Sequence, residues 1–150
     1  MTEHQRYMRE SLRLAEEGFR CNETPVGAVV VKDETIVGRG RNQTEETGIT
    51  IEHAEIVAIR DACINLAQKR LDGCSLYVTL EPCPMCAGAI ILARFSRLFF
   101  GAYDLRAGAT GTLYTITTDS RLNHQVETHG GVLDEECGEL LRKFFEEKRL

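Results

Sequence analysis

Four residues have types and spacing that suit chemistry: His53, Glu55, Cys83 and Cys86. Cys83 and Cys86 stand at i and i+3 in Pro82-Cys83-Pro84-Met85-Cys86. At a helix start, that spacing puts both sulfurs on one face, where they can reach one ion. The helix N-terminus adds free N–H groups and the positive end of the dipole. Both favour the thiolate, the form a metal needs. His53 adds an imidazole, and one imidazole with two thiolates leaves one position of a tetrahedral zinc ion open. Three protein ligands with an open position is the catalytic pattern, whereas structural sites close with four. The remaining cysteines, Cys21, Cys63, Cys74 and Cys137, offer no second pair to close such a site.

Glu55 follows His53 by two positions, about 200° around an ideal helix, and so is a poor partner for the same ion. It can still enter the cavity from the first helical turn and face a bound water. Two thiolates already neutralise the ion, so that water is less acidified than beside three histidines. A carboxylate base is then needed next to it.

Each residue also has a plainer reading. A histidine at a helix start can be a cap or a core residue, and a lone Cys-x-x-Cys can be a redox dithiol, as in thioredoxin-like proteins. Jointly, His53-Ala54-Glu55 and Pro82-Cys83-Pro84-Met85-Cys86 match the H-x-E…P-C-x-x-C pattern of zinc deaminases. Redox dithiol chemistry remains a rival. It predicts a reversible Cys83–Cys86 disulfide without stoichiometric zinc.

These residues need elements to hold them. Tyr7, Met8, Leu12 and Ala15 give a helical stripe over 3–17, with Gly18 as its expected stop. Val26–Val31 and Thr35–Gly40 read as a hairpin around Lys32-Asp33-Glu34. Residues 42–50 read as a loop, and apolar spacing predicts a helix over 53–69. A strand over 75–80 leads to Glu81-Pro82, and Pro84 opens a helix running to about Arg94. A strand follows over 97–103, then a glycine-rich stretch over 101–111. Segment 112–131 fits neither period. Asp134 starts a last helix with Leu140, Leu141, Phe144 and Phe145 expected on one face. This order predicts a single α/β domain over 1–150, a mixed sheet with helices on both faces.

The whole chain sets limits. Its 150 residues suit one domain, and 43% apolar with 27% charged residues is ordinary globular usage. The net charge of −5 argues against a general nucleic-acid binder but leaves room for a local basic patch. The polar start lacks the apolar region of a secretory signal, and no apolar run is long enough to span a membrane. The expectation is a cytoplasmic protein without a membrane partner.

Beyond the metal pattern, longer stretches carry a resemblance: Pro25–Val31, Gly38–Asn42, His53–Ile56, Leu76–Cys83, Met85–Ile90, Phe100–Asp104, Gly108–Gly111, Asn123-His124, Gly131–Leu133 and Phe144–Arg149. Through these, almost the whole chain resembles the bacterial tRNA adenosine deaminases of the cytidine deaminase-like superfamily. The zinc pattern marks only the superfamily, whereas Tyr77–Ile90 and the Phe-Phe-x-x-x-Arg tail are more specific. The resemblance implies a three-layer α/β/α fold with a five-stranded mixed sheet, a homodimer and one Zn²⁺ per subunit. It implies conversion of adenosine to inosine at the wobble position of an arginine tRNA anticodon. Carried over by position, Glu55 is the proton carrier, and His53, Cys83 and Cys86 are the metal ligands. Asn42 bonds the flipped-out base, Ala54 offers its backbone N–H, and Val26 forms an apolar wall. Asp104 contacts the preceding nucleotide, while Phe145 and Arg149 contact the anticodon loop.

One departure stands out. The family usually has Pro-Thr-x before His-Ala-Glu, and this chain has Thr50-Ile51-Glu52. A cap from Thr50, one position early, is the expected substitute. The nearest functional rival is a deaminase of a free nucleobase or nucleoside with the same zinc chemistry. The acidic balance suits a small substrate, and the locally basic C-terminal stretch with Arg142, Lys143, Lys148 and Arg149 argues against it. A zinc module without activity would be expected to lack Glu55.

Overall fold

A computed structural model describes residues 1–148. In chain order it contains α1 (Glu3–Arg20), β1 (Gly27–Lys32), β2 (Thr35–Arg41), α2 (Thr44–Thr47), α3 (Ala54–Leu66), β3 (Ser75–Leu80), α4 (Pro84–Leu92), β4 (Arg97–Ala102), a 3₁₀ turn (Ile116–Thr118), β5 (Glu127–His129) and α5 (Asp134–Lys148). The strands form one sheet in the order β2-β1-β3-β4-β5. The hairpin and the β1–β3 pair are antiparallel, and β3–β4 and β4–β5 are parallel. The mixed five-stranded sheet is as expected.

Strand alternation sorts the core into two layers. Ala28, Val30, Leu76, Val78, Leu98 and Phe100 face Ala54, Ala58 and Ala62 of α3 and Ile90 and Ile91 of α4. Val29, Val31, Tyr77 and Phe99 face Met8 and Leu12 of α1 and Cys137 of α5. Helices thus cover both faces, giving the three-layer α/β/α arrangement. No helix is long and apolar enough to cross a membrane among the described residues.

The parallel β3–β4 pair explains why the chemistry gathers where it does. Ligands in α/β sheets bind beyond the carboxyl ends of parallel strands. β3 ends at Leu80, and the chain turns through Glu81-Pro82-Cys83 straight into α4. On the neighbouring antiparallel side, α3 lies against β2 with almost no spacing. A Cβ at Gly40 would lie 2.4 Å from the Ala58 nitrogen, and one at Gly38 2.7 Å from the Ala62 Cβ. Those two glycines let the helix settle onto the strand with its N-terminus beside the end of β3.

Three element bounds and one helix face differ from expectation. α1 continues through Gly18 to Arg20. The reversal comes later, at Asn22 (φ 64), with the Cys21 and Glu23 N–H groups donating to the Gly18 carbonyl. The supposed 42–50 loop contains α2, closed by Gly48 at φ 70. α3 stops at Leu66, before Lys69, because Ala67 adopts the left-handed conformation. On α5 the two phenylalanines part: Phe144 is buried against Phe19, and Phe145 is 47% exposed. Successive helical residues lie about 100° apart, so both cannot face the core.

Candidate active site

Cys83 is the N-cap residue of α4, Pro84 opens the helix, and Cys86 completes its first turn. His53 is the N-cap residue of α3 with an extended backbone (φ −74, ψ 156). It therefore stands outside the helix, and its ring is not tied to the 200° offset from Glu55 that helical spacing would impose. Nδ1 of His53 lies 3.7 Å from the Cys83 sulfur and 3.5 Å from the Cys86 sulfur. The three ligand atoms lie within 4.8 Å of one another, a cluster that can hold a metal ion. Cys86 is fully buried, while Cys83 and His53 are partly exposed toward the cleft.

The thiols are unequal. The Cys86 thiol hydrogen bond holds Cys83 down to about 4, with His53 adding to it against the opposing effect of burial. That same hydrogen bond and burial push Cys86 up. The His53 imidazole is raised, first by its hydrogen bond with Cys83. Glu55, in the first turn of α3, is only 4% exposed. Desolvation raises its carboxyl to about 7, with His53 and its own backbone N–H opposing the rise.

The cluster opens into a cleft of about 320 Å³. Val26, Asn42, Ala54 and Asp104 all line it, together with Glu55, His53 and Cys83. The Asn42 side-chain amide makes no hydrogen bond to the protein among the described residues, although the residue is 9% exposed. Its backbone N–H is held by the Val26 carbonyl at 3.1 Å. Ala54 is the first residue of α3, so its N–H has no partner within the helix. Asp104 is partly committed to its own turn: one oxygen accepts the Arg106 and Ala107 N–H groups at 3.0 and 3.2 Å.

A second cleft, of about 780 Å³, shares Thr24, Leu80 and Asp104 with the first. Phe145, Tyr103, Arg106, Arg142 and Lys148 line it. Phe145 is thus adjacent to the metal cluster's cleft rather than within it. Arg149 lies outside the described residues.

The Thr50 cap does not form, since no side chain caps α3. The approach to His53 is held differently. Glu52 is 7% exposed and takes Arg60 through both oxygens at 3.0 and 3.2 Å. Its carbonyl accepts the Gln43 N–H at 3.0 Å.

Two buried carboxylates escaped sequence reasoning. Glu23 accepts the Glu45 and Glu46 N–H groups at 3.1 and 2.6 Å and so holds the start of α2. Glu81 gathers the loop beyond β4. Both are 2% exposed or less. The one signal for Glu81 was a carboxylate at the end of an apolar strand, directly before Pro82-Cys83. Nothing local marked Glu23.

The chain matches the MafB19-like deaminase family over residues 2–149. It is 46% identical over 149 residues to a tRNA-specific adenosine deaminase of Bacillus subtilis (strain 168), covering 99% of this chain and 92% of that protein. A solved structure from work on A-to-I editing by tRNA:A34 deaminases at the wobble position of transfer RNA matches with a TM-score of 0.87. The two chains are 40% identical, over 91% of this chain and 99% of that one. A guanine deaminase structure from Bacillus subtilis matches at 34% identity and a TM-score of 0.65, over 75% of this chain and 82% of that one.

Proposed function

The chain belongs to the MafB19-like deaminases and, within the deaminases, to the family of the tRNA-specific adenosine deaminases; from that premise we propose that it converts adenosine to inosine at the wobble position of a tRNA anticodon. The observation that carries this reading is the continuity of the two clefts. A free base needs only the small one with the metal cluster. The second, larger cleft is lined by Phe145 and by Arg106, Arg142 and Lys148 beside Asp104 and Glu146, aromatic and cationic groups of the kind a loop of RNA uses. The arginine tRNA is the substrate proposed within this class.

Zinc is the metal that fits the donor set. Tetrahedral zinc with Zn–N of about 2.05 Å and Zn–S of about 2.3 Å separates nitrogen from sulfur by about 3.5 Å. The His53 nitrogen stands 3.5 and 3.7 Å from the two sulfurs. We assign His53, Cys83 and Cys86 as the ligands, one ion per subunit. Bound there, zinc supplies electrophilic activation of the attacking water.

The remaining steps belong to side chains. Glu55 accepts the proton of the water that attacks C6 of the ring and delivers it to N1. It then takes the proton of the new C6 hydroxyl and passes it to the departing amine, so that ammonia leaves as the C6 carbonyl forms and one carboxylate is base and then acid. Its burial keeps competing bulk water away. Asn42 offers an uncommitted amide to the base edge, and the Ala54 N–H adds a donor. Val26 packs the ring face, and Asp104 borders the path to the preceding nucleotide. Phe145 and Arg149 contact the anticodon loop. An unpaired loop lowers the cost of extruding the base.

We read the chain as one deaminase domain, cytoplasmic, acting as a homodimer. Met85 and Leu92 on α4 are 37% and 78% exposed, apolar surface that a second copy would cover. The guanine deaminase likeness favours one alternative, a free base as substrate. Incubating the enzyme with an anticodon stem-loop, guanine, cytosine, adenine and adenosine separates the two. Inosine in the stem-loop is expected. Deamination of a free base with no product in the stem-loop would overturn the assignment.

A further inference from the structure

Glu81 is a buried carboxylate for which the metal cluster has no use. It sits between the end of β3 and Pro82-Cys83, 2% exposed. Its two oxygens collect four donors. One takes the Asp104 N–H at 3.1 Å and the Thr112 hydroxyl. The other takes the Thr110 and Thr112 N–H groups at 3.2 and 2.9 Å. The Ala109 N–H donates to the Pro82 carbonyl at 2.9 Å, and the Glu81 N–H to the Ala102 carbonyl at 2.9 Å. The 104–112 loop is therefore wrapped around one carboxylate. At Gly108 the fit is so close that a Cβ would lie 2.4 Å from the Glu81 carboxyl carbon.

This loop carries Asp104 and Ala107 into the wall of the cleft. Apart from one isolated bridge, Thr110 to Thr115, it has no secondary structure to hold it. We infer that Glu81 is a positioning residue for substrate: by gathering the backbone N–H groups of 104–112 it fixes the Asp104 side of the cleft at a set distance from the metal ligands. Only a carboxylate can do this, because its two oxygens offer about four acceptor sites and no donor. A glutamine of the same shape would turn an NH₂ group toward N–H groups. The inference rests on the proposed RNA substrate for its kinetic test, but not for its structural one.

The test is Glu81→Gln, with Thr112→Val as a milder variant that removes only the hydroxyl donor. Zinc content, steady-state kinetics on the anticodon stem-loop and amide hydrogen exchange are measured. Glu81→Gln is expected to keep its zinc and raise KM about ten-fold while kcat stays within about three-fold. Exchange speeds up at Asp104, Thr110 and Thr112 but not in α3 or α4, and Thr112→Val moves both readouts less, in the same direction. A merely structural role would reduce the active fraction, lowering kcat with KM unchanged, and that result overturns the inference. Unchanged exchange at the three amides also overturns it, as does zinc loss from folded Glu81→Gln. If Glu81→Gln does not fold, Thr112→Val decides by the same readouts. A wild-type enzyme inactive on the stem-loop sinks the proposed substrate, and exchange at the three amides then decides the role of Glu81 alone.

Discussion

Gly40→Ala should disturb the metal cluster from a distance. The new Cβ would lie 2.4 Å from the Ala58 nitrogen, 2.6 Å from the Ala54 carbonyl oxygen and 2.9 Å from the Val57 Cβ. Two of these three are backbone atoms of α3, so no side chain can swing aside. Restoring ordinary contact at 3.4 Å requires α3 to back away from β2 by about 1 Å. Overpacking of this kind costs about 1–3 kcal/mol. For a protein of this size that lowers Tm by about 2–12 °C. The displaced helix carries His53 and Glu55 at its N-terminus, while Cys83 and Cys86 stay with β3 and α4. Zinc affinity should therefore fall as well. Thermal melting by circular dichroism and zinc titration against a chromogenic chelator read the two effects. Gly138→Ala on α5 is the control, since its Cβ would meet only the Arg142 guanidinium, at 3.9 Å. It should melt no lower than wild type, because alanine favours the helix by about 0.5–1 kcal/mol. Wild-type Tm and zinc affinity in Gly40→Ala would refute the reasoning that the glycine sets the height of α3.

Glu55→Ala should leave zinc bound while turnover falls by about 10²–10⁴-fold, measured as ammonia release from the stem-loop, and retained activity would remove Glu55 from the proton path. Cys86→Ala should abolish stoichiometric zinc in the purified protein by elemental analysis, and unchanged zinc content would rule out this cysteine as a ligand. Glu23→Gln leaves one of the Glu45 and Glu46 N–H groups facing an amide NH₂. It should cost about 1–3 kcal/mol in denaturant unfolding and speed exchange across 44–47; an unchanged midpoint would mean that α2 holds without its buried carboxylate.

The site residues were legible to different degrees, for reasons visible in each. Cys83 and Cys86 sit on one helical turn, so their relation is local and a spacing of three reveals it. His53 was found by its neighbour Glu55 and by the pattern, yet its geometry was not. Helical spacing puts it on α3, whereas it occupies the extended cap position and turns Nδ1 toward the sulfurs. Thr50 was expected to cap α3 by local logic, but Glu52 is drawn into a pair with Arg60 and no side chain caps the helix.

Local pattern by itself determined the alternating strands, the amphipathic helices and the set of residues able to hold a metal, because periods of 2 and 3.6 and a spacing of three are written within a few positions. Tertiary structure alone decided which distant pieces meet. Gly40 matters only because α3 lies on β2. Glu81 matters only because a loop more than twenty residues later folds its N–H groups onto it. Phe144 and Phe145, adjacent and identical, divide into core and cleft because α1 covers one side of α5 and leaves the other open. Such contacts depend on packing between elements, and packing leaves no periodic trace in the chain.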